Sequence, residues 1–81
     1  MREILVNLNT VEKVKKFVNK TTTLTSDNVQ LDLISDRYIV DATSIMGIFS
    51  LDLSKLVTLK IDTEDIMIET KVIETLKDFI V

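Results

Sequence analysis

Alternation of apolar and polar positions marks four segments of the chain as strands that bury one face. In the first of them, residues 2–8, the apolar residues Ile4, Val6 and Leu8 share a face. The same spacing recurs at Val29, Leu31 and Leu33, at Tyr38, Val40 and Ala42, and at Val57, Leu59 and Ile61. Ser35 and Asp36 form a turn signal between the second and third segments, which predicts an antiparallel hairpin.

Three other segments repeat apolar residues at three- and four-residue spacing, which predicts helices. The first is expected to follow an N-cap at Asn9 and to run to about Lys20, with the polar run of residues 21–28 forming a connection. A short helix capped by Ser44 is expected to end near Leu51 or Leu53, and a longer one covers residues 63–80. The predicted stripes of the two longer helices are Val11, Val14, Phe17 and Val18, and Ile66, Thr70, Ile73, Leu76, Lys77 and Ile80.

The predicted order is strand, helix, strand, strand, helix, strand, helix. Strands with one apolar face need helices to cover that face, so the order predicts a two-layer open-faced α+β sandwich with a four-stranded antiparallel sheet. An apolar fraction of 46% and a charged fraction of 28% favour a folded chain over a disordered one. We expect residues 1–81 to form one domain.

The composition narrows the function classes sharply. The 81 residues include no cysteine and no histidine, which excludes disulfides, zinc-thiolate sites, thiol nucleophiles and the usual general base. The acidic residues Glu64, Asp65 and Glu69 fall at a predicted helix start, where carboxylates favour the helix dipole, so we assign them no metal. The prediction is a protein that is not an enzyme and holds no cofactor and no metal.

Charge and hydropathy address nucleic acid and membrane. A formal net charge of −3 disfavours nucleic acid, and Arg37 with Tyr38 would be a thin basis for RNA binding. No apolar run approaches the ~18 residues needed to span a bilayer, and the first residues lack a small-residue cleavage site. We therefore expect a cytoplasmic protein that binds neither nucleic acid nor membrane.

One segment carries a family resemblance. The stretch Ser44-Ile45-Met46-Gly47-Ile48-Phe49-Ser50-Leu51 resembles the regulatory-serine segment of HPr, the phosphocarrier of the bacterial sugar phosphotransferase system. The order of elements matches that family over nearly the whole chain, so the resemblance implies an HPr-like fold. It also implies that Ser44 is a regulatory phosphorylation site and that Ile45, Met46, Gly47 and Phe49 belong to a partner-binding surface. The competing interpretation is structural: Ser44 only caps a helix, Gly47 allows tight packing, and one or more of the apolar residues, Ile48 first among them, lie in the core.

The second signature of the family is missing from the chain. The family's Gly-Ile-His-Ala-Arg-Pro-Ala motif aligns with residues 9–15, where Val11 occupies the position of the phosphoryl-accepting histidine. Lys13 occupies the arginine position and keeps the charge without the planar fork that binds phosphate in a bidentate way. The resemblance therefore implies a member that has lost phosphocarrier chemistry and keeps Lys13 for partner binding; the alternative is that Lys13 is only a surface lysine.

These observations give two functional hypotheses. The first is a non-catalytic regulatory or protein-binding paralogue of the phosphotransferase system, similar to the catabolite repression HPr proteins, which also lack the active histidine. The resemblance then implies an HPr serine kinase and a transcriptional regulator as partners. The alternative is a structural or oligomerisation module in which Ile45, Met46 and Phe49 are buried between subunits. The sequence leaves the oligomeric state open.

Overall fold

The elements follow the predicted order along a computed structural model that describes residues 1–25 and 28–81. They are β1 (Arg2–Val6), α1 (Val11–Leu24), β2 (Gln30–Ser35), β3 (Tyr38–Asp41), α2 (Ile45–Phe49), β4 (Val57–Asp62) and α3 (Ile66–Thr75), followed by a 3-10 helix at Lys77–Phe79. The four strands form an antiparallel sheet in the order β1-β4-β2-β3. The predicted open-faced α+β sandwich is confirmed.

The sheet register explains how the apolar alternation builds the core. Leu59 in the central strand β4 lies opposite Ile4 of β1 and opposite Leu33 of β2, so three strands present apolar side chains in one row. The helices cover this face, and Phe17 of α1 meets Phe79 edge-to-face with ring centroids 5.4 Å apart. The buried apolar residues are Val6, Leu8, Val14, Phe17, Leu24, Val29, Leu31, Leu33, Ala42, Ile48, Leu51, Val57, Leu59, Ile61, Val72, Leu76 and Phe79.

Helix α1 differs from its prediction at both ends. Its N-cap is Thr10, whose hydroxyl accepts the Lys13 N–H at 3.1 Å, and not Asn9. It continues to Leu24 rather than ending near Lys20, because the buried Leu24 extends the core-facing stripe and the threonine hydroxyls bond to carbonyls of the preceding turn. Val11 is exposed, which corrects its placement in the core. Ser26 and Asp27, assigned to the predicted connection, lie outside the described residues.

The last helix is shorter than predicted, and its core-facing stripe was predicted only in part. Asp65 caps it through the Met67 N–H at 2.9 Å, and it ends at Thr75. Leu76 is buried and Ile73 packs against the core, as predicted, whereas Ile66 is exposed and the buried Val72 lies outside the predicted stripe. The chain then extends along β1, where Ile80 forms a bridge with Val6. Backbone hydrogen bonds from Val81 N–H to the Leu5 carbonyl of β1 and from Asn7 N–H to the Phe79 carbonyl hold this segment beside the strand.

The hairpin and the short helix agree with prediction except at their ends. The turn between β2 and β3 falls at residues 36 and 37, one position later than expected, with Asp36 at φ 54°. Tyr38 lies on the same side of the sheet as Val40 and Ala42, as the alternation predicts, but it is exposed because it begins an edge strand. Helix α2 ends at Phe49, before the expected limit at Leu51 or Leu53.

Candidate functional site

The N-terminus of α2 is built around the hydroxyl of Ser44. This residue has extended backbone, φ −94° and ψ 102°, and its Oγ accepts the Gly47 N–H at 3.1 Å. Its carbonyl accepts the Ile48 N–H at 2.9 Å, which closes the first turn. Ser44 is half-buried, and its bond to the Gly47 N–H makes it a true N-cap.

Gly47 leaves little space above this cap. A Cβ added to Gly47 would lie 3.1 Å from Ser44 Oγ and 3.3 Å from Val40 Cβ. The close approach therefore lets α2 start directly against β3. On the other side of the helix, Ser50 donates its hydroxyl to the Gly47 carbonyl at 2.5 Å, so two serines bond to the backbone of this one residue.

The loop that leads from β3 into α2 is held by Asp41. Thr43 donates its hydroxyl (2.6 Å) and its backbone N–H (2.8 Å) to Asp41 Oδ1. These two bonds favour the carboxylate and hold the pKa of Asp41 below its ordinary value of 3.8; burial opposes them in part, and the Gln30 hydrogen bond makes the smallest contribution to lowering this pKa. The Asp41 carbonyl also accepts the Ser44 N–H at 3.0 Å, so the turn delivers Ser44 in its capping conformation.

A buried hydrogen bond ties this loop to α1. Thr21 is fully buried, and its hydroxyl lies 2.8 Å from the carbonyl of Ala42, two residues before Ser44. Ala42 in turn donates its N–H to Leu31 of β2 at 2.9 Å. The loop is therefore fixed both to the sheet and to the helix layer before it reaches the cap.

Helix α2 divides its apolar residues between core and solvent. Ile48 is fully buried, as the spacing predicts, whereas Met46 is 79% exposed. Ile45 and Phe49 lie at the boundary, with 37% and 42% of their surface exposed. We call Ile45, Met46 and Phe49 the α2 patch. The patch is an apolar surface next to Ser44, and Met46 is its most exposed member.

The residues aligned with the histidine motif lie on the first turn of α1. Val11 is its first residue and is 55% exposed, directly after the N-cap Thr10. Lys13 is half-buried and donates Nζ to Asn9 Oδ1 at 3.0 Å. Thr21, which holds the Ser44 loop, comes ten residues after Val11, which is about 15 Å along the helix axis. The loop is thus anchored near the end of α1 remote from Val11.

The described ranges, 1–25 and 28–81, contain no group of three or more carboxylates that could hold a metal ion. No helix within them is long and apolar enough to cross a membrane. A shallow depression is lined by Thr25, Asn28, Val29, Gln30 and Asp62 and shares no residue with the α2 patch.

Two contributors to the site were missed from the sequence. Thr21 was assigned to a connection, although Val14, Phe17, Thr21 and Leu24 continue the same three- and four-residue spacing and could have been recognised by following it past Lys20. The bonds of Thr43 to Asp41 form a common Asx arrangement that the Asp-x-Thr spacing permits but does not require.

Comparisons with known proteins find similarity among solved structures. No protein-family model matches the chain, and no curated protein matches it. Among solved structures, HPr-C-His from Thermoanaerobacter tengcongensis is similar with a TM-score of 0.71 and 27% identity, over 96% of this chain and 89% of that one. The phosphocarrier protein HPr from Bacillus anthracis str. Ames is similar with a TM-score of 0.69 and 21% identity, over 99% of this chain and 94% of that one.

Both neighbours extend over nearly the full length of this chain, so the likeness covers the sheet and the helix layer together. The resemblance first seen in the segment from Ser44 to Leu51 is therefore confirmed: this chain has the HPr fold, and its structural neighbours are HPr phosphocarrier proteins.

Proposed function

We propose that the chain is a non-catalytic, cytoplasmic HPr-like protein that binds protein partners through the α2 patch and is regulated by phosphorylation of Ser44. Its partners on this proposal are an HPr serine kinase and a transcriptional regulator. The observation that carries the proposal is the exposed α2 patch directly beside Ser44 on a chain with the HPr fold.

The absence of histidine supports the non-catalytic part of the proposal. A phosphohistidine carrier needs an imidazole nitrogen to take and release phosphate, and the chain has no histidine at any position. The exposed Val11 at the start of α1 has an aliphatic side chain that cannot form a phosphoryl bond. We therefore propose that Val11 stands where carrier members hold their histidine.

The geometry around Ser44 supports it as a phosphoryl acceptor. The Ser44 hydroxyl is half-buried and has one short protein contact, the Gly47 N–H at 3.1 Å. A phosphate ester at Oγ keeps this donor within reach, so modification need not unfold the first turn. The added charge would lie beside the α2 patch and change what that surface recognises.

Exposure of the α2 patch supports its role in docking. A methionine is flexible and polarisable, which suits it to surfaces that must fit more than one partner. Met46 exposes 79% of its surface although Ile48, two residues later, is fully buried, so packing of the core does not account for an apolar residue at position 46. Lys13, on α1, adds a positive charge to the partner-binding set that we propose.

Phosphorylation kinetics test the docking role, because the kinase is itself a partner that must dock. We expect Met46→Glu to raise the KM of an HPr serine kinase for this protein by about tenfold, the loss typical of placing a charge in an apolar contact. Steady-state rates at varied protein concentration give this value. An unchanged KM would contradict the assignment of the α2 patch.

Met67→Glu is the matched control. Met67 is 78% exposed, nearly the same as Met46, but it lies on α3. Its substitution adds the same charge to the molecule without touching the α2 patch, so we expect a KM equal to that of the wild type. A rise as large as that of Met46→Glu would show a general effect of charge and would count against specific docking.

The oligomerisation alternative makes a different prediction for the same patch. If Ile45, Met46 and Phe49 were buried between subunits, Met46→Glu would convert a dimer to a monomer. We expect instead that sedimentation equilibrium gives the same molar mass for the wild type and for Met46→Glu.

A further inference from the structure

Strand β3 leaves one edge of the sheet open. It is the outermost strand in the order β1-β4-β2-β3, and within residues 1–25 and 28–81 no strand pairs with its far side. The opposite edge of the sheet is covered in part, because β1 is bridged by Ile80. Tyr38 and Ile39 of β3 are 64% and 66% exposed, and β3 contains neither proline nor lysine, the residues that commonly protect such edges.

The hydrogen-bonding direction of each β3 residue follows from its neighbours. Ala42, just after the strand, donates its N–H to the Leu31 carbonyl of β2, and Val40 lies opposite Leu33. Along an antiparallel strand, the backbone N–H and C=O groups of successive residues point alternately toward the paired strand and away from it. The N–H and C=O of Ile39 therefore point out of the sheet at its open edge, ready to pair with another strand.

We propose that β3 pairs antiparallel with β3 of a second copy of this chain, about a two-fold axis at Ile39. Such an interface is isologous, since each copy contributes the same strand. The two Ile39 residues then exchange their outward N–H and C=O groups, and the sheet continues from one copy into the other.

The sequence of the edge is complementary to itself in this arrangement. Residues equally distant from Ile39 on its two sides face each other, so Arg37 lies opposite Asp41 of the second copy, and Tyr38 lies opposite Val40 of the second copy. Opposite charges and apolar pairs thus meet, with none of the like-charge contacts that would oppose pairing. Two-fold symmetry makes each of these contacts twice.

Arg37 and Asp41 are both placed to make the new contact. Arg37 is exposed and has no ion pair within the described ranges. Asp41 uses Oδ1 to hold Thr43, whereas its Oδ2 has only a 3.4 Å contact with Gln30. Ile39 and Asp41 of β3 share the face of the sheet away from the helices. Arg37 belongs to the turn just before β3, and its long, exposed side chain is within one residue of the strand that would meet Asp41 of the second copy.

Cysteine cross-linking tests the register directly, because the chain has no native cysteine. In the proposed pairing the two residues at position 39 have Cα atoms about 5.5 Å apart, within the range of about 4.4 to 6.8 Å that disulfides span. We expect Ile39→Cys, oxidised by glutathione disulfide, to form a covalent dimer about tenfold faster than Leu5→Cys. Leu5 is also exposed, at 49%, but lies on β1. Equal rates for the two variants would overturn the proposal.

Sedimentation equilibrium of the unlabelled protein tests the same interface without a cross-link. We expect the wild type to show a reversible monomer–dimer equilibrium at chain concentrations up to about 1 mM. The association should be weak, because a short edge strand gives a small interface. Arg37→Glu places like charges opposite each other twice and should weaken association about tenfold. Met67→Glu, at an exposed position on α3, should leave association unchanged. A wild type that stays monomeric, or an Arg37→Glu variant that associates as strongly as the wild type, would refute β3 pairing.

Discussion

At the scale of single residues, one oxygen atom is proposed to serve both structure and regulation. Ser44 Oγ caps α2 through the Gly47 N–H and is also the atom that we propose to accept phosphate. A serine retained for capping and a serine retained for modification look alike in sequence. The two roles separate in substitutions that keep one and remove the other.

Stability measurements isolate the capping role of Ser44. We expect Ser44→Ala to lower the free energy of unfolding by about 1 kcal/mol, because the Gly47 N–H loses its acceptor. Ser44→Asp supplies another good N-cap oxygen and should stay within about 0.5 kcal/mol of the wild type. Urea denaturation gives both values. A Ser44→Ala variant as stable as the wild type would show that the cap contributes nothing.

Thr21 gives the second residue-scale prediction. Thr21→Val keeps the shape of the side chain but leaves the Ala42 carbonyl without its buried donor, so the free energy of unfolding should fall by about 1 to 2 kcal/mol. Thr21→Ser keeps the hydroxyl and loses only a methyl group, and it should cost less. If urea denaturation showed Thr21→Ser to be the less stable of the two, packing rather than the hydrogen bond would hold this loop.

At the scale of elements, the turn between β3 and α2 responds to pH through Asp41. The folded pKa of Asp41 lies below its ordinary value of 3.8, so the unfolded chain binds the proton more readily. The stabilisation is therefore complete above the ordinary pKa and is lost as the pH falls through the folded pKa. We expect the free energy of unfolding to decrease with acidification below about pH 4, and Asp41→Asn to show a smaller decrease. Identical pH profiles for the two proteins would contradict this role.

The elements also show which parts of the fold the sequence could reveal. The strands were found because a sheet with one covered face needs a strict two-residue alternation, and Val57, Leu59 and Ile61 obey it. The sequence did not predict the end of α1 because threonines have a low helix propensity. Burial of Thr21 and Leu24 in the core nevertheless stabilises the helix as far as Leu24. Tertiary contacts with β1 likewise replaced the predicted last turns of α3.

The candidate site was predictable only as far as local rules reach. The Ser44 cap and the buried Ile48 follow from helix periodicity and were confirmed. The hydrogen bond from Thr21 to Ala42 joins residues that are 21 positions apart, and no local sequence pattern predicts a contact over that separation. The degree of exposure of Ile45 and Phe49 likewise depends on how α2 sits against its neighbours.

At the scale of the whole molecule, the fold is that of phosphocarriers, but the side chain that carries phosphate in such proteins is absent. The chain has the fold of HPr phosphocarriers over nearly its full length, yet it contains no histidine. A fold can persist after its reactive residue is gone, because the core that specifies the fold is separate from the site. On our proposal, what this molecule keeps from the family is a surface for partners and a regulatory serine.

Site mapping after treatment with an HPr serine kinase and ATP tests this account most directly. Mass spectrometry of wild type, Ser44→Ala and Ser50→Ala should show one added phosphate on the wild type and on Ser50→Ala, and none on Ser44→Ala. Ser50 is the matched control, because its hydroxyl bonds to the same residue, Gly47, from the other end of α2. Folded wild-type protein that takes up no phosphate, or phosphate that persists in Ser44→Ala, would contradict the proposal that Ser44 is the regulatory site.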